Sequence, residues 1–181
     1  MHLQTHFLSG WCLGNYVDLT ARERFLCMIA AGISDLDGLG ILWDIQFYLD
    51  YHHILCHNLA FALGISFIFA GLSTHRFKMF LITLAMVHLH LFLDFLGSGA
   101  GWGIPYFWPK SRHFYENPWV WDLYSWQNSV AMLFLAGWTF ALLHLKKRSP
   151  FEFIWPRLES KIIGYIRKVE ENYRASRSPA P

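Results

Sequence analysis

His90 and Asp94 stand four residues apart in an apolar stretch, so a helix puts the imidazole and the carboxylate on one face. A carboxylate at that depth, three residues before Gly97, is costly unless it is paired, hydrated or bound to a metal ion. A second group, Tyr51-His52-His53-Ile54-Leu55-Cys56-His57-Asn58, opens another apolar run. There His53 and His57 share a helical face, and His52 joins them if it lies in the lead-in loop. Asp35 and Asp37 flank Leu36 just before Gly38 and Gly40, and His6 lies in the first apolar run. Each group has a plain structural reading: a His–Asp hydrogen bond between helices, interfacial histidines, a solvated acidic turn, a lone structural imidazole. Taken together, imidazole and carboxylate without cysteine make the ligand set of zinc, manganese or iron. Four histidines (His6, His52, His57, His90) and three aspartates (Asp35, Asp37, Asp94) exceed one tetrahedral site and would suit two divalent ions about 3.5–4 Å apart. Such ions make hydroxide available near neutral pH, which is the chemistry of hydrolysis. Asp37, if not a ligand, and His53 are the candidates for catalytic acid–base work.

These groups come from four separate stretches, so apolar elements must gather them. Two spans read clearly, roughly 57–74 and 79–97, each near the roughly 20 residues that cross a hydrocarbon core. A third runs about 128–145 and stops at Lys146-Lys147-Arg148. Thr20 and Glu23 have capping-box spacing and predict a helix running to about Asp37. A first helix is expected over about 3–17. These last two are short for full spans. The expectation is an all-α polytopic bundle, three clear spans plus two shorter N-terminal helices. A membrane-embedded domain over 1–148 is followed by a basic tail over 149–181.

The tail regains helical periodicity after Pro156. Leu158, Ile162, Ile166, Val169 and Tyr173 form one stripe, with Arg157, Lys161, Arg167 and Lys168 on other faces, suiting an amphipathic helix on an anionic inner leaflet. The final ASRSPAP is expected to be loose. Residues 98–127, rich in Gly, Pro and Trp, read as an interfacial loop. Trp102, Trp108, Trp119 and Trp121 would anchor it at headgroup level or line an entrance.

Composition narrows the class. Of 181 residues, 54% are hydrophobic and only 15% charged, against about 25% charged in an average soluble domain. The surface is therefore solvated largely by lipid. A net charge of +2 is too small for a nucleic-acid binder, whose affinity comes from neutralising phosphates. From Lys146 onward nine basic residues face four acidic ones, so that end is expected in the cytoplasm, as are Arg76 and Lys78. All seven candidate ligands then fall at the outer face. Cys12, Cys27 and Cys56 form no CxxC pair and read as small buried hydrophobes. No Lys or Arg precedes the apolar run of MHLQTHFLSG, which argues against a cleavable signal peptide.

The order of these motifs resembles the bacterial inner-membrane, metal-dependent hydrolase family typified by YdjM, also described as LexA-binding, inner-membrane-associated hydrolases. The family pattern has an N-terminal His, a D-x-D ending a hydrophobic helix, H-R-G-x-T-H opening a span, H-x-x-x-D near the end of the next, then a Gly and an aromatic-Pro element. Here these are His6, Asp35-Leu-Asp37, His52 to His57, His90 to Asp94, and Gly103-Ile-Pro-Tyr-Phe-Trp108-Pro109, covering about residues 1–110. The chain departs from the pattern at His53 for Arg, Ile54 for Gly and Cys56 for Thr. His53 would then donate where the Arg does. The resemblance implies a multi-pass inner-membrane hydrolase. Membrane lipids would surround it, and a phospholipid or lipid-linked ester reached from the interface is the natural substrate. Two rival classes remain: a metal or haem binder, with His57 and His90 as an axial pair that leaves the aspartates unused, and a structural or assembly protein whose basic tail docks a cytoplasmic partner.

Overall fold

Thr20 opens the best-defined helix in the chain. Its hydroxyl accepts from the Glu23 amide at 3.2 Å while the Glu23 carboxylate accepts from the Thr20 amide at 2.9 Å, the reciprocal capping box expected from the spacing. The computed structural model describes residues 1–177. Among them the chain forms α1 (Leu3–Gly14), α2 (Ala21–Gly32), a 3-10 helix (Ile33–Leu42), α3 (Ile45–Tyr51), α4 (Leu59–Gly71), α5 (Arg76–Gly97), α6 (Trp126–Lys146) and α7 (Pro156–Arg177). The described residues hold no strand, only an isolated antiparallel bridge between Ile104 and Tyr115. The expected all-helical class is found.

Three elements are long and apolar enough to cross a membrane: Ala21–Leu42, Arg76–Gly97 and Trp126–Lys146. The last two match expected spans. The stretch 57–74 does not, because only 13 residues of it are helical in α4. At 1.5 Å per residue that is about 20 Å, short of a hydrocarbon core of about 30 Å. Of the expected span, His57 and Asn58 fall in the loop before the helix and 72–74 beyond its end, and Asn58 caps α4 by accepting from the Phe61 amide at 2.8 Å. Conversely, α2 does not continue as an α-helix to Asp37. It stops at Gly32, and the winding tightens into the 3-10 helix, so that 22 residues together reach span length. Gly38 and Gly40 favour no regular helix, and so long a 3-10 run is uncommon outside functional segments.

Packing sets where the site forms. A Cβ on Gly10 would lie 2.5 Å from the Cys27 carbonyl oxygen, so only glycine lets α1 approach α2 this closely. Leu26, Cys27, Ala30 and Ala31 of α2 pack with Phe69, Met79 and Met86 of the α4–α5 hairpin in the main core. Trp11 and Cys12 pack on Leu142 of α6. Outside this core the helices are greasy: Phe67 is 68% exposed and Leu133 is 71% exposed, as a lipid-facing surface requires.

The two ends of the bundle differ. At one end Arg24 grips Glu152 through Nε at 2.6 Å and Nη2 at 2.7 Å, and Lys146 donates to the Asn15 carbonyl at 2.7 Å. Arg22, Arg76, Lys78 and Lys147 belong to this end by position in their helices. At the other end the 98–125 loop is tied down by Asn128, whose amide donates to the carbonyls of Gly97 at 3.0 Å and Leu123 at 2.8 Å. In α7, Ile163 and Ile166 are buried and Leu158 and Ile162 half-buried, while Val169 and Tyr173 are exposed. Ala175–Arg177 of the tail expected to be loose are helical, and 178–181 lie outside the described residues. Cys12 and Cys27 are buried and free, and Cys56 is half-buried and free.

Candidate metal centre

Four acceptor side chains meet at the end of the bundle opposite Arg24 and Lys146. Asp35, His57, His90 and Asp94 each offer one ligand atom, all within 4.8 Å of one another. His90 Nε2 lies 2.9 Å from Asp94 Oδ2, the i, i+4 pair on α5. His57 Nε2 lies 3.3 Å from the same oxygen and 3.1 Å from His90 Nε2. Asp35 Oδ1 stands 3.7 Å from His90 Nε2 and 4.0 Å from His57 Nε2. The side chains of His57, His90 and Asp94 are at most 2% exposed, whereas Asp35 is 20% exposed, so the cluster opens on the Asp35 side.

The far nitrogens of the rings decide what these atoms can do. His90 Nδ1–H donates to the Ala31 carbonyl at 2.7 Å, and His57 Nδ1–H donates to Asp37 Oδ2 at 3.1 Å. Both Nε2 atoms of the neutral rings are then lone pairs pointed at each other and at two carboxylates. Such a meeting of acceptors calls for positive charge between them. His57, in the loop before α4, expresses that demand. Burial alone would lower its pKa, but its hydrogen bonds to Asp37 and Asp94 win and raise it to about 9. The residues present therefore fit a divalent ion, with imidazole tautomers fixed by partners behind them as metal-binding histidines require. A porphyrin does not fit between two nitrogens 3.1 Å apart.

The remaining predicted residues surround this group. His6 reaches in from α1, with Nε2 3.1 Å from Asp94 Oδ1 and its ring stacked on His90 at 3.9 Å. Its Nδ1 is buried without a hydrogen-bond partner among the described residues. Asp37 stands outside the four: one oxygen accepts from His52 Nδ1 at 2.7 Å, the other from His57 and from the Cys56 amide at 3.1 Å. His52 thus touches Asp37 rather than the cluster. A 3-10 turn advances about 120° per residue and leaves i and i+2 about 120° apart rather than the about 160° of an α-helix, so the Asp35 and Asp37 side chains reach one site from different sides.

His53 adopts φ 69°, a left-handed conformation unusual for a non-glycine residue. This turns its ring onto His57 at 4.2 Å and aims Nε2 toward Asp94 Oδ2 at 3.9 Å. Its Nδ1–H donates to the Trp102 carbonyl at 3.2 Å, which leaves Nε2 an acceptor. Burial, with His57 beside it, holds its pKa well below the usual imidazole range. Cys56 has its thiol pushed up to about 12 by burial and by the Asp37 carboxylate.

An open hollow of about 590 Å³ lies over the cluster, with Asp35, His53, Asp94, Tyr48 and Trp102 in its wall. Trp108, Trp119 and Trp121 do not line it; the Trp121 indole donates to Asn128 at 2.8 Å and Trp119 is 85% exposed. Sequence reading did not foresee the Met1 amine, which donates to Asp94 and, at 3.0 Å, to Ser98. Nor did it foresee the Ala31 and Trp102 carbonyls, since main-chain groups leave no trace in residue type.

Comparison with curated proteins and with solved structures gives no match. A family model described as YdjM inner membrane protein matches residues 1–163. The match runs well past the 110 residues that carry the motifs and takes in α6 and the first turns of α7. With a matching model over most of its length, the chain belongs to the YdjM inner membrane protein family.

Proposed function

We propose that this protein is a metal-dependent hydrolase acting on an ester or phosphoester at the membrane interface. The observation that carries the reading is the convergence of four acceptor atoms, three of them buried, beneath a hollow that a polar group can enter. Zinc–nitrogen bonds of about 2.0–2.1 Å put tetrahedral ligand atoms about 3.3–3.4 Å apart. The imidazole nitrogens stand 2.9 to 4.0 Å from each other and from the carboxylates, which brackets that value, and all four ligand atoms lie within 4.8 Å. His57, His90 and Asp94 would hold one ion as its buried ligands, with the partly exposed Asp35 on the side left open to water; zinc suits this spacing, with manganese or iron as the alternatives for the same donors. His6 would brace Asp94. When bound, the ion supplies an acidified water, its pKa brought from 15.7 toward about 7.

The chain's own residues do the rest. Asp37 orients His57 and fixes His52. With both oxygens engaged, it is a positioning residue rather than a base. His53 has the free acceptor: with Nδ1–H held by the Trp102 carbonyl, Nε2 can take a proton from water in the hollow and return it to the leaving oxygen. The partly exposed Asp35 edge gives the substrate its way in. Arg22, Arg24, Arg76, Lys78, Lys146, Lys147 and Arg148 gather at the opposite end, against Lys110 and Arg112 in the loop beside the site, and this bias supports an outward-facing site with the C-terminus in the cytoplasm.

His53→Gln tests this. Glutamine keeps a donor for Trp102 but cannot accept a proton. Hydrolysis of a soluble nitrophenyl phosphodiester should fall by about 10²–10⁴ with metal content unchanged. Undiminished hydrolysis would overturn the assignment of the base, and metal lost with activity would make His53 a structural element of the centre.

A further inference from the structure

Asp94 and Phe95 are neighbours on α5 that serve two different hollows. Asp94 lines the polar hollow over the metal centre, and Phe95 lines an apolar groove of about 320 Å³ on the outside of the same helix. In that groove Leu91 and Phe92 of α5 join Phe95 against Ile104, Phe107 and Tyr115 of the loop. Tyr106 also borders it, but its hydroxyl donates to His88 Nε2 at 2.8 Å and so adds no polar group there. Between the two lies a third hollow of about 300 Å³. It shares Asp94, Gly99, Ala100 and Trp102 with the first and Phe95 and Tyr115 with the groove. Gly99 and Gly101 hold φ of 96° and 85° on this passage, and nothing stands within 4 Å of a Cβ placed on Gly101. At Gly99 a Cβ would come within 3.3 Å of the Asp122 carboxylate, and Glu116 and Asn117 also line the connecting hollow.

We infer that the groove receives the hydrocarbon chain of a lipid substrate whose ester or phosphoester sits at the metal centre. The inference rests on the hydrolase reading and adds to it the substrate's shape: a polar group small enough for the first hollow, joined to a chain that leaves between Gly99 and Trp102. A soluble substrate would have no use for an apolar groove joined to the centre through a hollow that shares walls with both. Phe92, 57% exposed, and Phe107, 46% exposed, face the lipid side, so the chain would enter sideways from the bilayer without crossing water.

The test is photo-crosslinking of the zinc-loaded full chain in detergent with dodecyl phosphate carrying a diazirine at its chain end. Peptides 91–95 and 104–107 should carry the label. Excess inorganic phosphate should remove it, as should Ala100→Trp, which plugs the passage. Label spread over α4 and α6, or label indifferent to phosphate, would mean bulk lipid contact and would overturn the groove assignment; the wild-type map decides this even if the variant does not fold. Hydrolysis of the soluble nitrophenyl phosphodiester by the same preparations separates the two claims. Activity with label elsewhere defeats the groove alone, and groove label without activity defeats the hydrolase reading alone.

Discussion

Asp37→Asn separates a residue that binds the ion from one that aims a ligand. Asp37 Oδ2 accepts from His57 Nδ1–H at 3.1 Å and Oδ1 accepts from His52 at 2.7 Å, and its side chain is fully buried. An asparagine keeps one acceptor and replaces the other with an NH2 donor. If that donor faces His57, the imidazole must move its proton to Nε2, the atom turned toward His90 and Asp94. If it faces His52, the Cys56–His57 side keeps its acceptor but without full charge. Loss of such an orienting carboxylate costs about 10–100-fold in metal affinity, or about 1.4–2.7 kcal/mol. Removal of a ligand such as Asp94 should abolish binding in the same range. The assay is zinc competition against a chromogenic chelator with purified wild type, Asp37→Asn and Asp94→Asn. Affinity equal to wild type would show that Asp37 orients nothing, and a loss as complete as that of Asp94→Asn would make Asp37 a ligand.

Three further outcomes follow from other parts of the molecule. With its pKa near 12, Cys56 is almost wholly a thiol at pH 8, so iodoacetamide should leave it unmodified in folded protein while labelling it after denaturation, as peptide mass spectrometry would reveal. Arg24 and Glu152 pair with side chains only 5% and 10% exposed, so Arg24→Ala leaves a nearly buried carboxylate alone. That should cost about 3–5 kcal/mol and lower the melting midpoint in detergent by several degrees, whereas the double variant with Glu152→Gln should recover part of the loss. A reporter fused after residue 181 should signal the cytoplasm and one inserted at Lys110 the outer side; the reverse pattern would place the site on the inner face.

Much of the arrangement was legible because it follows from local periodicity. Asp94 and His90 share a face on any α-helix, and Thr20 and Glu23 cap whatever helix follows them. The apolar runs of α5 and α6 need no tertiary information to be found. What escaped depends on chain geometry that residue types do not encode. Hydropathy cannot tell that the expected 57–74 span keeps only Leu59–Gly71 as helix, because the leucine and serine lost beyond its end are residue types also kept within it. Nor does it reveal that the Ala21–Leu42 span is completed by 3-10 winding through Gly38 and Gly40. The candidate residues were nameable from type and spacing, but their division of labour was not. Asp35 and Asp37 look alike in sequence, and only the turn between them sends one to the cluster and the other to His52 and His57.

The proposed chemistry depends on Asp35, His57, His90 and Asp94 forming one ion-binding centre. Elemental analysis of detergent-purified protein, wild type beside Asp94→Ala and checked for equal folding by circular dichroism, addresses it directly. About one divalent ion per wild-type chain and a loss to background in the variant are expected. Negligible metal in both, or equal metal in both, would contradict it.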